Sequence, residues 1–281
     1  MKKIVWAGAL CVLAVSVFAQ EDIKGRPAGF QTQDGWSIAA VYQPAEPEQK
    51  TVLLLHDISK SRADFASFSE KLVEKGFGYL AMDLRGHGQS TNKGGYASFA
   101  KEGVDNDYNK MTRDVNAAMD YLKGKGVPEE EVIFVGVGMG ANVAAKAASL
   151  WPSVAAIALL TPVTNFRDIL PIPSLRLYKG DVFIAAAADD KKTFLEASVM
   201  RNVAFLSSGE GHVTFATAYD KKAHELLDKW TSAELLQWLQ IPQKPELKPD
   251  VVEPEQDPYQ GAYEDVLPSA TEEALVPSVL E

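Results

Sequence analysis

Short, wholly apolar runs alternate along this chain with segments whose apolar residues recur at helical spacing. The runs cover residues 52–55, 79–82, 132–135, 155–160 and 182–186. A strand that is apolar on both faces must be covered on both faces, and the commonest solution places helices above and below a parallel sheet. The alternation therefore predicts an α/β fold with a mostly parallel sheet. An earlier piece, residues 35–42, alternates apolar and polar residues more clearly and could be an antiparallel edge strand.

Helices are predicted between these strands by apolar residues three or four positions apart. Phe65, Phe68 and Leu72 mark the first helix, which is expected to end at Lys75-Gly76. The remaining predicted helices cover residues 111–124, 142–150 and 215–239.

Four segments fall just beyond predicted strands, where sheets of this type hold their functional sites. They are residues 55–57, residues 83–90, the glycine-rich residues 136–142, and Asp189-Asp190 together with residues 209–212 after the next predicted strand. The glycine-rich segment reads GVGMGAN. Glycines at both ends permit the cramped strand-to-helix turn called a nucleophile elbow, which usually reads G-x-S-x-G. Here Gly138 stands where that pattern has its serine.

In order and spacing, the four segments resemble the α/β-hydrolase superfamily over about residues 31–239. Within it they are most similar to secreted dienelactone-hydrolase-like serine esterases, which read G-A-S-x-G-A-N at the elbow. The resemblance implies an α/β-hydrolase-like sheet with helices on both faces. It implies an acid at Asp190, with Asp189 as second choice, and a base at His212. It also implies an oxyanion hole formed by the backbone amide of Met139 and a second amide near Asp57.

Two departures from the family pattern weaken the prediction of ester hydrolysis. Gly138 has no side-chain atom that could attack a carbonyl, and losing a triad nucleophile costs orders of magnitude in rate. Asp57 stands where the family usually has glycine, and a carboxylate beside an oxyanion hole would oppose the charge that the hole stabilises. We therefore predict a remnant triad of His212 and Asp190, and a binding site that includes Asp57, Met139 and His56.

Structural roles compete with each of these assignments. Without a serine, His212 could hold its loop by hydrogen bonds, and Asp190 could cap the following helix. His56 is usually structural in the family. His87 is expected to anchor its turn, and Arg85 to pair with a carboxylate. The spacing of the histidines and acids supports no metal site, and no cofactor is expected.

Charge and cysteine content exclude several other classes of function. The chain has 281 residues and a net charge of −10, of which −8 falls in residues 242–281. The rest is nearly neutral and lacks the basic stripe that nucleic-acid binding needs. The acidic segment holds seven of the fifteen prolines and is predicted to be a disordered tail, either solvated or docking on a partner.

The first residues are typical of a signal peptide. Lys2 and Lys3 precede an apolar run over residues 4–19, and small residues stand at the positions required for cleavage before Gln20. Cys11, the single cysteine of the sequence, lies within this segment, so the mature chain would hold neither disulfides nor cysteine-ligated zinc. The predicted organisation is a signal peptide over residues 1–19, a hydrolase-like domain over 20–241 and the tail over 242–281.

Together these features predict an exported protein, periplasmic or secreted, with no membrane span after signal cleavage and no nucleic-acid partner. The first hypothesis is a catalytically impaired pseudoenzyme that binds a small acyl or aromatic ligand or an envelope protein. The alternative is a carboxylic-ester hydrolase in which His212 and Asp190 activate a water molecule.

Overall fold

The computed structural model describes residues 23–219, 227 and 230–241. The predicted signal peptide and acidic tail lie outside these residues. Within this part of the chain, eight strands form one sheet in the order β1-β2-β4-β3-β5-β6-β7-β8. The strands are β1 (Arg26–Gln31), β2 (Ser37–Gln43), β3 (Thr51–Leu55), β4 (Gly78–Met82), β5 (Val132–Val137), β6 (Ala156–Leu160), β7 (Asp181–Ala187) and β8 (Val213–Ala218).

The sheet is parallel from β4 to β8 and antiparallel at its other end. β2 pairs antiparallel with both β1 and β4, and every other neighbouring pair is parallel. All five apolar runs predicted as buried strands are strands, so the mostly parallel α/β sheet is confirmed. The antiparallel piece predicted at residues 35–42 is β2. The edge strand itself is β1, whose residues are mainly exposed.

Helices cover both faces of the sheet. They are α1 (Ala66–Glu74), α2 (Thr112–Gly124), α3 (Met139–Ala148), α4 (Ile172–Leu175), α5 (Lys191–Ser208) and α6 (Trp230–Leu239). Leu53 and Leu55 of β3 pack in a core with residues of α2 to α5. Val52 and Leu54 point to the opposite core, which contains residues of α1 and α6. No helix in the described ranges is long and apolar enough to cross a membrane.

Two predicted elements near the end of the domain are wrong. The strand expected before Gly209 is the end of α5, and the helix expected over residues 215–239 is β8 followed later by α6. In α5 the buried positions are small or slender, while Leu195 and Leu206 are 65% and 90% exposed. Apolar residues therefore surround this helix instead of forming one stripe, and a short apolar run without periodicity does not distinguish a helix from a strand.

A buried ion network fixes the turn after β4. Arg85 is fully buried and donates from Nε to Asp114 at 2.8 Å and from a terminal nitrogen to Asp34 at 2.8 Å. The predicted pairing of Arg85 with a carboxylate is confirmed. His87, in the same turn, donates from Nδ1 to the carbonyl oxygen of Arg85 at 2.9 Å and stacks on Tyr96 with ring centroids 4.3 Å apart. His87 therefore anchors the turn, as predicted.

Candidate active site

An open cleft lies beyond the carboxyl ends of the central parallel strands. It has a volume of about 290 Å³ and is lined by Asp57, Ile58, Gly138, Met139, Thr161, Val163, Phe166, Ala187, Asp190 and Thr193. The segments after β3, β5, β6 and β7 all contribute to this lining. Three of the predicted site residues, Asp57, Met139 and Asp190, therefore meet at one cleft next to Gly138.

The glycine-rich turn after β5 can be formed only with little or no side chain at three positions. A Cβ at Gly136 would overlap the backbone of Gly140, and a Cβ at Gly140 would overlap the backbone of Leu55. Between them, Gly138 has φ +54° and ψ −117° at the tip of the turn, directly before α3 begins at Met139. This is the sharp strand-to-helix geometry that the motif predicts.

The carboxylate of Asp57 lies directly above the tip of this turn. Its Oδ1 accepts hydrogen bonds from the backbone amide of Ile58 at 2.7 Å and from the backbone amide of Met139 at 2.8 Å. The Met139 amide also lies at the amino end of α3, where the helix dipole favours negative charge. A Cβ built at Gly138 would overlap Cγ and both oxygens of Asp57. The carboxylate thus fills the space above Gly138.

This arrangement adds a second effect to the one expected of Asp57. The sequence predicted an oxyanion hole from the Met139 amide and a second amide near Asp57, with the carboxylate beside the hole opposing the negative charge that the hole would stabilise. The structure brings the Met139 and Ile58 amides together, but both donate their hydrogen bonds to Oδ1 of Asp57 and not to a ligand. Asp57 acts by occupying the space as well as by its charge.

His56 holds the Asp57 loop from below and does not line the cleft. Its Nδ1 donates to the carbonyl oxygen of Asp57 at 2.7 Å, and its Nε2 accepts from the amide of Leu84 at 3.0 Å. Complete burial, together with the neighbouring His87, lowers the pKa of His56 to about 4. A neutral His56 with both ring nitrogens bonded to backbone is a structural residue, so its predicted place in the binding site is replaced by a positioning role.

Asp190 lies at the cleft but is engaged as a helix cap. It accepts hydrogen bonds from the backbone amide and the hydroxyl of Thr193, at 3.1 and 2.7 Å, at the start of α5. These bonds to Thr193 lower the pKa of Asp190. The capping role considered for Asp190 from the sequence is therefore observed, at the same end of the sheet as Gly138.

His212 lies at the opposite end of the sheet. It directly precedes β8, and its Nδ1 is 2.8 Å from Oδ1 of Asp181, the first residue of β7. Strands rise about 3.3 Å per residue, so the two ends of β7 are about 20 Å apart. His212 and Asp190 therefore do not meet, and the predicted pairing is corrected to His212 with Asp181. Burial raises the pKa of Asp181 despite this contact.

His212 was predicted at the wrong end of the sheet because a strand was expected before Gly209, where the structure has the end of helix α5. If a strand ended before Gly209, His212 would lie beyond the carboxyl end of that strand. With a helix there instead, His212 lies at the amino end of the next strand, β8. In α/β hydrolases the base follows the acid in chain order and lies beyond a later strand. His224 is the one histidine of the sequence after β8, six positions past Ala218. It lies outside the described residues, and its position after β8, rather than before it, is the signal that could have distinguished it from His212.

The charged side chains that line the cleft are both acidic. Asp57 and Asp190 are its charged lining residues, and the other described residues around it are mainly apolar. Across the described ranges, no group of three histidine, cysteine or acidic side chains is arranged to hold a metal ion.

Comparison with known proteins assigns the fold to a family. A family model described as serine aminopeptidase, S33, matches residues 46–186, half of the chain. The chain belongs to this α/β-hydrolase family. The match includes Asp57 and the turn at Gly138 but ends before Asp190 and the residues after it. No curated protein matches the chain.

Solved esterase structures share the fold at low sequence identity. An esterase from Pyrococcus furiosus is 16% identical with a TM-score of 0.63, covering 77% of this chain and 92% of its own. An esterase from Exiguobacterium antarcticum is 16% identical with a TM-score of 0.57, covering 77% and 99%. A Rhodococcus esterase is 15% identical with a TM-score of 0.60, again covering 77% and 99%. At these identities the likeness concerns the fold.

Proposed function

We propose that this hydrolase-fold domain binds ligands without hydrolysing esters. The observation that carries the proposal is the carboxylate of Asp57, which accepts hydrogen bonds from the Ile58 and Met139 amides above Gly138. Acyl transfer needs a nucleophile at the elbow and free donors for the developing oxyanion. Gly138 supplies no nucleophilic atom, and Asp57 engages the donors.

The energy needed to free the donors opposes catalysis further. A substrate oxyanion would have to displace Asp57 from two hydrogen bonds to an ionisable group, which belong to the stronger class of hydrogen bonds. Removing a single oxyanion-hole donor typically costs about 3 kcal/mol of transition-state stabilisation. The loss of two donors and of the nucleophile would leave little acceleration over the uncatalysed reaction.

The walls of the cleft favour a ligand with an apolar body. Ile58, Val163 and Phe166 line it beside Met139, and its volume suits a small acyl or aromatic group. We keep the alternative that the partner is an envelope protein, which the acidic tail could help to recruit. Fold alone does not decide between these ligands, because function depends on the residues of the site.

The other candidate function, water activation by His212 and Asp190, requires these two side chains to be in contact, and in the structure they lie at opposite ends of the sheet. A general base and the group that orients it must be within hydrogen-bond reach of each other. His212 contacts Asp181 at the amino end of β7, while Asp190 lies beyond its carboxyl end. We therefore prefer the binding function.

The first prediction is that the purified protein does not hydrolyse a panel of p-nitrophenyl esters and lactones above the buffer rate. Small acyl and aromatic compounds should nevertheless raise its melting temperature. Val163→Trp should abolish that shift by filling the cleft, since Val163 lines it. Val104→Trp is the matched control, because Val104 is 84% exposed and lies outside the cleft. Ester turnover that persists through repurification and is lost in Asp57→Asn would contradict the proposal.

A second prediction concerns export. If the basic and apolar first residues are a signal peptide, cleavage falls between Ala19 and Gln20. N-terminal sequencing of protein expressed in a secreting host should then begin at Gln20, and the protein should be recovered outside the cytoplasm. Recovery of membrane-bound protein that still begins at Met1 would contradict this expectation.

A further inference from the structure

We propose that a second copy of this chain docks on the exposed side of α5, with the two α5 helices antiparallel across a two-fold axis. The surface consists of Leu195, Val199, Asn202 and Leu206, and we call it the α5 row. None of these four residues lines the cleft. The proposal therefore goes beyond the binding function and does not depend on it.

The α5 row places large apolar side chains in solvent along one side of a helix. Leu195, Val199 and Leu206 are 65%, 47% and 90% exposed, and Asn202 is exposed between them. Successive members of the row are three or four residues apart, so their side chains lie on the same side of the helix. The other side of α5 packs against β7. Scattered exposed apolar residues are ordinary, whereas a contiguous set of them marks an interaction surface.

The spacing of the α5 row fits a second helix that has the same spacing, as in coiled coils. We place the two-fold axis at the centre of the row, between Val199 and Asn202. Leu195 of each copy then lies opposite Leu206 of the other copy. These are the two leucines of α5, and this is the register that gives each of them a leucine partner. Because a two-fold interface is self-complementary, each contact is made twice.

Charges at the two ends of α5 favour the antiparallel arrangement. Lys191 is exposed in the first turn and Glu210 is exposed just after the last turn, and in this register they lie opposite each other. Arg176 and Lys179 are exposed beside the last turn, at the end that would approach Asp189 of the other copy. A parallel pair would instead set Lys191 against Lys191. Rim charges of this kind select the orientation of a complex more than they strengthen it.

The size of the α5 row predicts a weak dimer. The 18 residues of α5 form a helix about 27 Å long. One such helix from each copy buries less surface than a standard stable interface. We therefore expect a monomer–dimer equilibrium with a dissociation constant on the order of 10 μM.

Sedimentation velocity of the full chain, at concentrations below and above this value, tests the proposal. We expect the unmodified protein to shift from monomer to dimer. Leu206→Glu should keep the protein monomeric, because it sets a charge against Leu195 of the other copy. Val73→Glu is the matched control, since Val73 is 42% exposed on α1, which packs in the opposite core. This variant should dimerise like the unmodified protein.

A charge exchange tests the antiparallel register. Lys191→Glu should weaken the dimer by about tenfold, because it replaces two weak attractions by two repulsions. Glu210→Lys should have a similar effect. The double variant Lys191→Glu/Glu210→Lys should restore the affinity, since each new glutamate then lies opposite a new lysine.

Three results would overturn the proposal. The first is a monomer at every concentration, and dimerisation only after truncation at Ile241 would then assign the α5 row to residues 242–281. The second is a dimer that persists in Leu206→Glu when circular dichroism shows the variant folded. The third is a double charge variant that dimerises no better than Lys191→Glu alone.

Discussion

Gly138→Ser alone should weaken the fold and should not react with a fluorophosphonate probe. A side chain at Gly138 would overlap the Asp57 carboxylate, whose displacement would break its bonds to the Ile58 and Met139 amides. Overpacking typically costs about 1–3 kcal/mol of stability. A residue with a side chain in this sparsely populated backbone region, at φ +54° and ψ −117°, adds about 1–3 kcal/mol. Denaturant unfolding would measure the loss.

The double variant Gly138→Ser/Asp57→Gly should behave differently from the single variant. Removing the carboxylate clears the space above residue 138 and frees both amides as donors. We expect stability to recover relative to Gly138→Ser, and we expect covalent labelling by the fluorophosphonate. Equal labelling of the single and double variants would show that Asp57 does not block the site.

The Gly138→Ser/Asp57→Gly double variant also allows a test of which histidine acts as the general base. Fluorophosphonate labelling needs a serine activated by a histidine. His224 follows β8 in the sequence, whereas His212 precedes β8 and contacts Asp181. His224→Ala in the double variant should therefore abolish labelling, and His212→Ala should preserve it. Loss of labelling in the His212 variant alone would refute this assignment.

The parts of the fold that followed from the sequence are those whose pattern of apolar residues, together with the neighbouring segments, fits one kind of element. Strand β3 is buried at every position, and a strand with one face in solvent would alternate polar with apolar residues instead. The turn at Gly138 was equally predictable, since Gly136 and Gly140 lie too close to other backbone to accept side chains. Such backbone constraints are local and therefore visible in one sequence.

The site was predicted less well because its side-chain directions depend on distant elements. Asp57 is unusual for the family, but its bond to the amide of Met139 joins residues 82 positions apart. No local pattern indicates whether such a carboxylate turns toward the elbow or into solvent. The error at His212 arose differently, from a helix, α5, that buries only Ala197, Met200 and Ala204 and lacks an apolar stripe.

The largest loss of stability from one substitution is expected for Arg85→Met. Arg85 and Asp114 are both fully buried, and Arg85 also contacts Asp34. Removing one partner of a buried ion pair typically costs about 3–5 kcal/mol, because the remaining charge is left uncompensated. Arg113→Met is the matched control: Arg113 contacts Asp34 at 3.2 Å but its side chain is 43% exposed. That change should cost less than about 1 kcal/mol.

The pH dependence separates lost charge pairing from lost packing. Burial raises the pKa of Asp114 from 3.8 to about 6, with Arg85 opposing the shift. A raised pKa in the folded state means that the proton is bound more tightly there than in the unfolded chain, so this group stabilises less as pH rises through the interval. Without Arg85 the pKa should rise further. The loss in Arg85→Met, measured by urea unfolding, should therefore be smaller at pH 5 than at pH 8. An equal loss at both pH values would assign the effect to packing.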